Sequence, residues 1–268
     1  FPHWLASPLS GFVVLGTNGE VGLMDDDECD RMVEETRALV PSRRLLIAGA
    51  GRESTRATVR AARRAADCGA DAVLIRTPSW FKAQMTSEAF HRHFSAVADS
   101  SPVPVVLYNF AAATGVNLRP ETAARLAEHP NIVAMKESSG DIAQLSELIA
   151  LTPDDFYVLA GSGSTFYGAL CAGASGGILV LGTVLPEACV ELYDLVQKRR
   201  YDEARLLQRR LASIARLLST EYGVPFVKAA LALVGCDSGQ PRPPLMPIAE
   251  SAVAQLEEAL ATFKKAIV

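Results

Sequence analysis

Short apolar runs at residues 12–15, 45–48, 72–75, 103–108, 132–135, 157–160 and 178–181 recur along the first two thirds of the chain, with helical patterns between them. Each run is apolar at successive positions instead of alternate ones, so both faces of the predicted strand must be covered. Strands of that kind alternating with helices define a parallel sheet flanked by helices. The connecting segments carry matching boundary signals. Asp25 stands three residues before Glu28 as a capping box, and Met32, Val33, Leu39 and Val40 follow on one face. Ser54 opens an Ala-rich helix that stops at Gly69, and Phe90, Phe94 and Val97 are spaced i, i+4, i+7. Pro120 suits a first helical position, and Asp141 precedes Ile142, Leu145, Leu148 and Ile149.

A closed barrel of this type needs eight strands, and these runs supply seven. The opening "FPHWLASPLSG" reads as the tail of a helix. The expectation is therefore a (β/α)8 TIM barrel whose first strand and most of whose first helix are missing from this sequence; an open doubly wound sheet is the alternative. An unclosed barrel would expose two strand edges, so the natural chain is expected to be longer. After about Pro186 helical patterns take over, at 188–199, 202–218, 225–234 and 248–267. The expected division is a catalytic barrel over residues 1–185 and a C-terminal helical domain over 186–268. "CDSGQPRPPLMP" reads as a turn and packing segment within the second part.

Composition excludes several classes. A net charge of -4 and a pI near 5.7 give no basic field for nucleic acid, and the Arg-rich stretches at 56–64 and 198–210 are interleaved with Ala and Leu as solvated helix faces. Cys29, Cys68, Cys171, Cys189 and Cys236 are scattered and form no C-x-x-C pair, which argues against a disulfide framework or zinc and for a reducing cytoplasm. His91 and His93 are spaced i, i+2 on a helix and do not face each other, so no metal site is expected. Residues 156–186 contain no charge and are long enough to span a bilayer, but Gly161, Gly163, Gly173, Gly176 and Gly177 break them up. No signal peptide is visible, and no membrane partner is expected.

Barrel enzymes carry their chemistry at the C-terminal ends of the strands. The apolar run at 132–135 ends in Lys136, the one lysine of the chain so placed. A buried, unpaired ammonium is costly, so the amine either escapes to solvent, pairs with Glu137, or is kept neutral as a nucleophile that attacks a carbonyl to form a Schiff base. Tyr108 ends another strand, as a proton relay or as a capping phenol bonded to backbone. "GTNGE" is either a tight turn or a carboxylate cradle formed by Thr17 and Asn18. "GSGS" at 161–164 lacks the ending of a P-loop and suits close backbone approach to a small ligand.

Taken in order, "GTNGE", "YNFAAATG", "KESSGD" and "AGSGS…GASGGILVLGTV" resemble the dihydrodipicolinate synthase and N-acetylneuraminate lyase family of class I pyruvate-dependent aldolases. The resemblance implies an eight-stranded barrel with a C-terminal helical domain, a homo-oligomer (tetramer or dimer), a 2-oxo acid substrate, and no cofactor beyond a covalent imine on Lys136. It places Tyr108 as the proton relay, with Thr17 and Asn18 on the pyruvyl carboxylate. It also puts Ser138, Gly161, Ile178 and Trp80 in or around the substrate site. Dihydrodipicolinate synthases usually carry an arginine where this chain has Ala113, a second threonine where it has Asn18, and a tyrosine lent across the dimer interface where it has Trp80. A proline is usual at Ala111. Asn18, Ser138 and residues 51–78 look closest to 4-hydroxy-2-oxoglutarate aldolase, which yields pyruvate and glyoxylate. The alternatives are dihydrodipicolinate synthase-like condensation, a 2-keto-3-deoxy sugar acid aldolase or dehydratase, and a catalytically silent 2-oxo acid binder.

Overall fold

The helices begin where the capping residues predict. Asp25 and Glu28 form a reciprocal capping box, the Ser54 hydroxyl accepts from the Ala57 N–H, and Asp141 accepts from Ala143 and Gln144. The computed structural model describes residues 2–218 and 223–265. In chain order its elements are α1 (Pro2–Ala6), β1 (Gly11–Val14), α2 (Asp26–Leu39), β2 (Leu45–Gly49), α3 (Thr55–Asp67), β3 (Ala72–Arg76), α4 (Ser87–Ser100) and β4 (Val105–Asn109). Next come α5 (Ala111–Thr114), α6 (Pro120–Ala127), β5 (Ile132–Glu137), α7 (Ile142–Leu151), β6 (Tyr157–Ala160), α8 (Phe166–Cys171) and β7 (Gly176–Gly177). Helices α9 (Leu181–Val184), α10 (Pro186–Gln197), α11 (Tyr201–Arg216), α12 (Val224–Leu233) and α13 (Glu250–Lys265) complete the chain. The end of the helix predicted over 248–267 lies outside the described residues.

The strands form one parallel sheet in the order β1-β2-β3-β4-β5-β6-β7. Every strand pairs with its predecessor and the order never reverses, which is barrel winding; a doubly wound sheet would show a switch point. The last strand corrects the sequence reading. Residues 178–181 were expected to be extended, but pairing stops at Gly176 and Gly177, and Leu181 starts α9. A short apolar run does not distinguish a buried strand from a buried helix. Here the backbone requires glycine, because a Cβ at Gly177 would stand 2.8 Å from the Phe166 ring and 3.2 Å from the Ala160 carbonyl oxygen.

Strand alternation divides the apolar runs between two cores. Ala72, Leu74, Val106, Tyr108 and Ala134 form a small inner cluster with Ile47 and Leu159. Val73, Ile75, Val105, Leu107, Met135 and Val158 face outward into the large core shared with the helices. No helix of the described residues is long and apolar enough to cross a membrane.

The C-terminal helices reach the barrel mouth. Helix α11 packs on α8 and on the Gly163–Thr165 turn, and α12 packs on α9 and on the Thr17–Gly19 turn. The contact with the Thr17–Gly19 turn carries charge: Lys228 Nζ lies 2.9 Å from Glu20 Oε2, while the Arg242 backbone N–H donates to Glu20 Oε1 at 2.7 Å. Glu20 is buried, so deleting its charge strands Lys228. Glu20→Gln is expected to destabilise the fold by on the order of 3 kcal/mol, read as a lower denaturation midpoint in urea.

Candidate active site

Register aligns Arg76 with Tyr108, Tyr108 with Lys136, and Lys136 with Leu159. Neighbours in a parallel register share a face, so Arg76, Tyr108 and Lys136 form one row on the inner face at the C-terminal ends of the strands. The Lys136 ammonium sits over the Tyr108 ring, 4.3 Å from its centroid. Lys136 keeps partial access to the mouth, yet burial lowers its pKa to about 8. The cause is desolvation, which disfavours the charged form.

Glu137 does not pair with Lys136. Alternation turns it to the outer face, where it is buried and accepts from Asn109 Nδ2 at 2.8 Å, Gln144 Nε2 at 3.0 Å and the Ser139 N–H at 2.6 Å. Asn109 also donates to Asn117 Oδ1 and accepts from the Leu118 N–H. This network locks the ends of β4 and β5 together from behind, which fixes the backbone that carries Tyr108 and Lys136. Among the described residues no carboxylate reaches the lysine, so its amine is held by packing and by the Tyr108 ring.

Tyr108 is buried, and its hydroxyl lies 3.1 Å from Thr17 Oγ1. Burial raises the phenol pKa, opposed by the neighbouring hydroxyls of Thr17 and Ser138, so the phenol stays protonated at neutral pH. Its ring stacks on Phe110 at a centroid distance of 6.1 Å. Thr17 reaches it through a bend in the backbone. Leu15 adopts φ 56°, a conformation that L-residues disfavour, and its carbonyl oxygen would lie 1.8 Å from a Cβ on Gly49. Glycine at 49 therefore permits the bend that carries Thr17 and Asn18, both exposed, over the mouth.

Ser138 follows Lys136, and its N–H donates to the Asn109 carbonyl at 3.0 Å. Its hydroxyl is buried with no partner of regular hydrogen-bond geometry, beside the Tyr108 phenol. Gly161 makes room for it, since a Cβ at 161 would overlap Ser138 Oγ at 1.7 Å. Gly161→Ala is thus expected to displace Ser138 and lower kcat/KM by about 100-fold, with little change in the far-UV circular dichroism spectrum. The Gly161 N–H donates to the Glu137 carbonyl and the Ile178 N–H to the Ala160 carbonyl, which places Gly161 beside the end of β5 and Ile178 beside the end of β6.

Trp80 is not brought into this cluster: the residue is 79% exposed. The carboxylate of Glu53 accepts from the Ser79 and Trp80 N–H groups and pairs with Arg76 Nη1 at 2.8 Å, which fixes the backbone of that loop. The sequence pattern gave no role to Arg76, Asn109 or Phe110. Parity along β3 would have found Arg76, because it stands two residues beyond the inner-facing Leu74. Among the described residues no three His, Cys, Asp or Glu side chains come together in a way that could hold a metal ion.

A parallel β/α barrel with a desolvated lysine against a protonated tyrosine at its mouth defines a class of enzyme, the imine-forming carbon–carbon lyases. The chain belongs to the dihydrodipicolinate synthetase family, whose model matches residues 2–263. It is 37% identical over 257 residues to the 4-hydroxy-tetrahydrodipicolinate synthase of Exiguobacterium sp., covering 96% of this chain and 87% of that one. Identity to the Geotalea daltonii enzyme of the same name is 36%, covering 97% and 89%. Among solved structures, dihydrodipicolinate synthase from Thermotoga maritima superposes with a TM-score of 0.94 at 33% identity, over 98% of this chain and 90% of that one. The chloride-inhibited enzyme of Acinetobacter baumannii, complexed with pyruvate, gives 0.93 at 31% identity, over 98% and 90%. The chain is accordingly a class I, pyruvate-dependent aldolase in the broad sense.

Proposed function

We propose that this enzyme cleaves a 4-hydroxy-2-oxo acid, 4-hydroxy-2-oxoglutarate in the first instance, to pyruvate and glyoxylate. The observation that carries the reading is the pairing of Lys136 with Tyr108 at a barrel mouth where Ala113 replaces the arginine usual in dihydrodipicolinate synthases. The pyruvate bound by the Acinetobacter baumannii relative supports a 2-oxo acid as the half held by the lysine.

In this scheme the neutral Lys136 amine attacks the 2-oxo carbon, and loss of water from the carbinolamine gives a protonated imine. Thr17 and Asn18 hold the adjacent carboxylate. A base takes the proton of the 4-hydroxyl, the C3–C4 bond breaks, and its electron pair enters the iminium to leave an enamine and free glyoxylate. The enamine is protonated at C3, and hydrolysis releases pyruvate and restores the amine. Tyr108, bonded to Thr17, is the group within reach to relay these protons. Holding carbonyl, lysine and phenol together removes the entropy cost of their encounter.

A second reading, condensation of pyruvate with an aldehyde bearing a carboxylate, is favoured by the names of the relatives at 36–37% identity. Borohydride trapping with pyruvate, followed by peptide mapping, tests the shared step: a reduced adduct on Lys136 is expected. Product analysis then separates the readings, with glyoxylate from 4-hydroxy-2-oxoglutarate expected. A reaction only with aspartate semialdehyde would favour the condensation, and water loss without carbon–carbon cleavage would indicate a dehydratase.

A further inference from the structure

The cleavage substrate carries a second carboxylate at the end remote from the imine, and the position from which relatives are expected to bind such a group holds Ala113. A cation at the mouth has to replace it. Arg76 stands in the inner row directly beside Tyr108, two strands from Lys136. With Thr17, Gly51, Leu74 and Tyr108 it lines a narrow cleft of about 20 Å³, room for about one water-sized group. Gly51 makes space for its stem, because a Cβ there would meet Arg76 Cγ at 2.7 Å.

The guanidinium is held by one nitrogen. Arg76 Nη1 donates to the Thr77 carbonyl at 3.0 Å and pairs with Glu53 at 2.8 Å. The described residues offer no hydrogen bond to Nε or Nη2, so two donors remain for a ligand. The side chain is 31% exposed, open to the mouth without being free to wander. Glu53 is itself fixed by the Ser79 and Trp80 N–H groups, which makes Arg76 a preset donor and not a mobile surface arginine. The other cation beside the acceptor loop, Lys82, is exposed and lies against Gly115.

We infer that Arg76 is the specificity-determining residue of this enzyme, binding the remote carboxylate of a 2-oxo dicarboxylate while Lys136 holds its 2-oxo carbon. The inference rests on the imine chemistry of the proposed function and deepens it. A planar guanidinium with two donors on one edge matches a carboxylate in a way that an ammonium does not.

The test compares borohydride trapping on Lys136 with 2-oxoglutarate and with 2-oxopentanoate, which carries methyl in place of the remote carboxylate. Half-saturation is read by intact mass for the wild type and for Arg76→Met, Arg76→Lys, Glu53→Gln and Lys82→Met. The wild type is expected to prefer the dicarboxylate by roughly 10- to 100-fold. Arg76→Met is expected to erase that preference without changing the half-saturation for pyruvate, and Arg76→Lys to restore part of it. Lys82→Met is expected to keep it, and Glu53→Gln, which loosens the guanidinium without removing it, to keep it in part. The inference is overturned by a wild type without preference, by a preference that survives Arg76→Met, or by loss on Lys82→Met instead. It is equally overturned if pyruvate weakens in parallel, which puts the guanidinium on the imine-side carboxylate. Trapping without cleavage of 4-hydroxy-2-oxoglutarate would sink the proposed substrate and still read the preference.

Discussion

Lys136→Ala is expected to abolish the trapped pyruvate adduct and to lower kcat by on the order of 10⁴-fold or more, the scale on which loss of a covalent nucleophile acts. The alternatives for this residue make smaller demands. A lysine kept for packing or for an ion pair would lose stability on truncation and leave turnover largely intact, and no described carboxylate reaches it. A single turnover assay with 4-hydroxy-2-oxoglutarate, with intact mass after borohydride, distinguishes these cases; substantial residual turnover would end the imine scheme. The same amine sets the pH dependence. Burial brings its pKa down to about 8, and the neutral form is the nucleophile. Imine formation should therefore fall about tenfold per unit as pH drops below about 8 and level off above it. A flat profile between pH 6 and 8 would show that Lys136 is not the group titrating.

Tyr108→Phe carries the second large effect. The ring under the ammonium is retained and only the hydroxyl is lost, so the cation–π contact and the packing against Phe110 persist. The variant should still trap pyruvate on Lys136, while kcat for cleavage falls about 10²- to 10⁴-fold, the range for a general acid–base group. Because burial raises the phenol pKa above its ordinary value of 10, the wild type should lose activity only in strongly alkaline solution. Near-normal turnover by Tyr108→Phe would mean that water or Ser138 relays the protons. Thr17→Val offers a partial version of the same loss, because it removes the 3.1 Å contact to the phenol and leaves the phenol itself.

The two lysine-centred readings were separated by parity. In sequence, Lys136 and Glu137 are adjacent and look like an ion pair; on a strand, adjacency places them on opposite faces. The structure uses that geometry to hide Glu137 behind the sheet with Asn109 and Gln144 and to leave Lys136 alone in front. Trp80 makes the opposite point. The resemblance put it in the substrate site, yet within this chain it is exposed, on a loop whose backbone the Glu53 carboxylate fixes.

By itself the sequence determined the parallel barrel winding, the helix starts at Asp25, Ser54 and Asp141, the helical C-terminal third, and the placement of Lys136 and Tyr108 at the ends of their strands. These are local properties: periodicity, capping and the residue that ends an apolar run all lie within a few positions of one another. Only the tertiary structure decided which strand-end residues share the inner row, and so set Arg76 beside Tyr108. It also decided that the last strand shortens to Gly176 and Gly177, and that Leu15 bends into a left-handed conformation over Gly49. Nor could the sequence show that Lys228 and Arg242 hold Glu20 across more than 200 positions. Those features depend on register and on close approach between segments distant in the chain, and packing sets both.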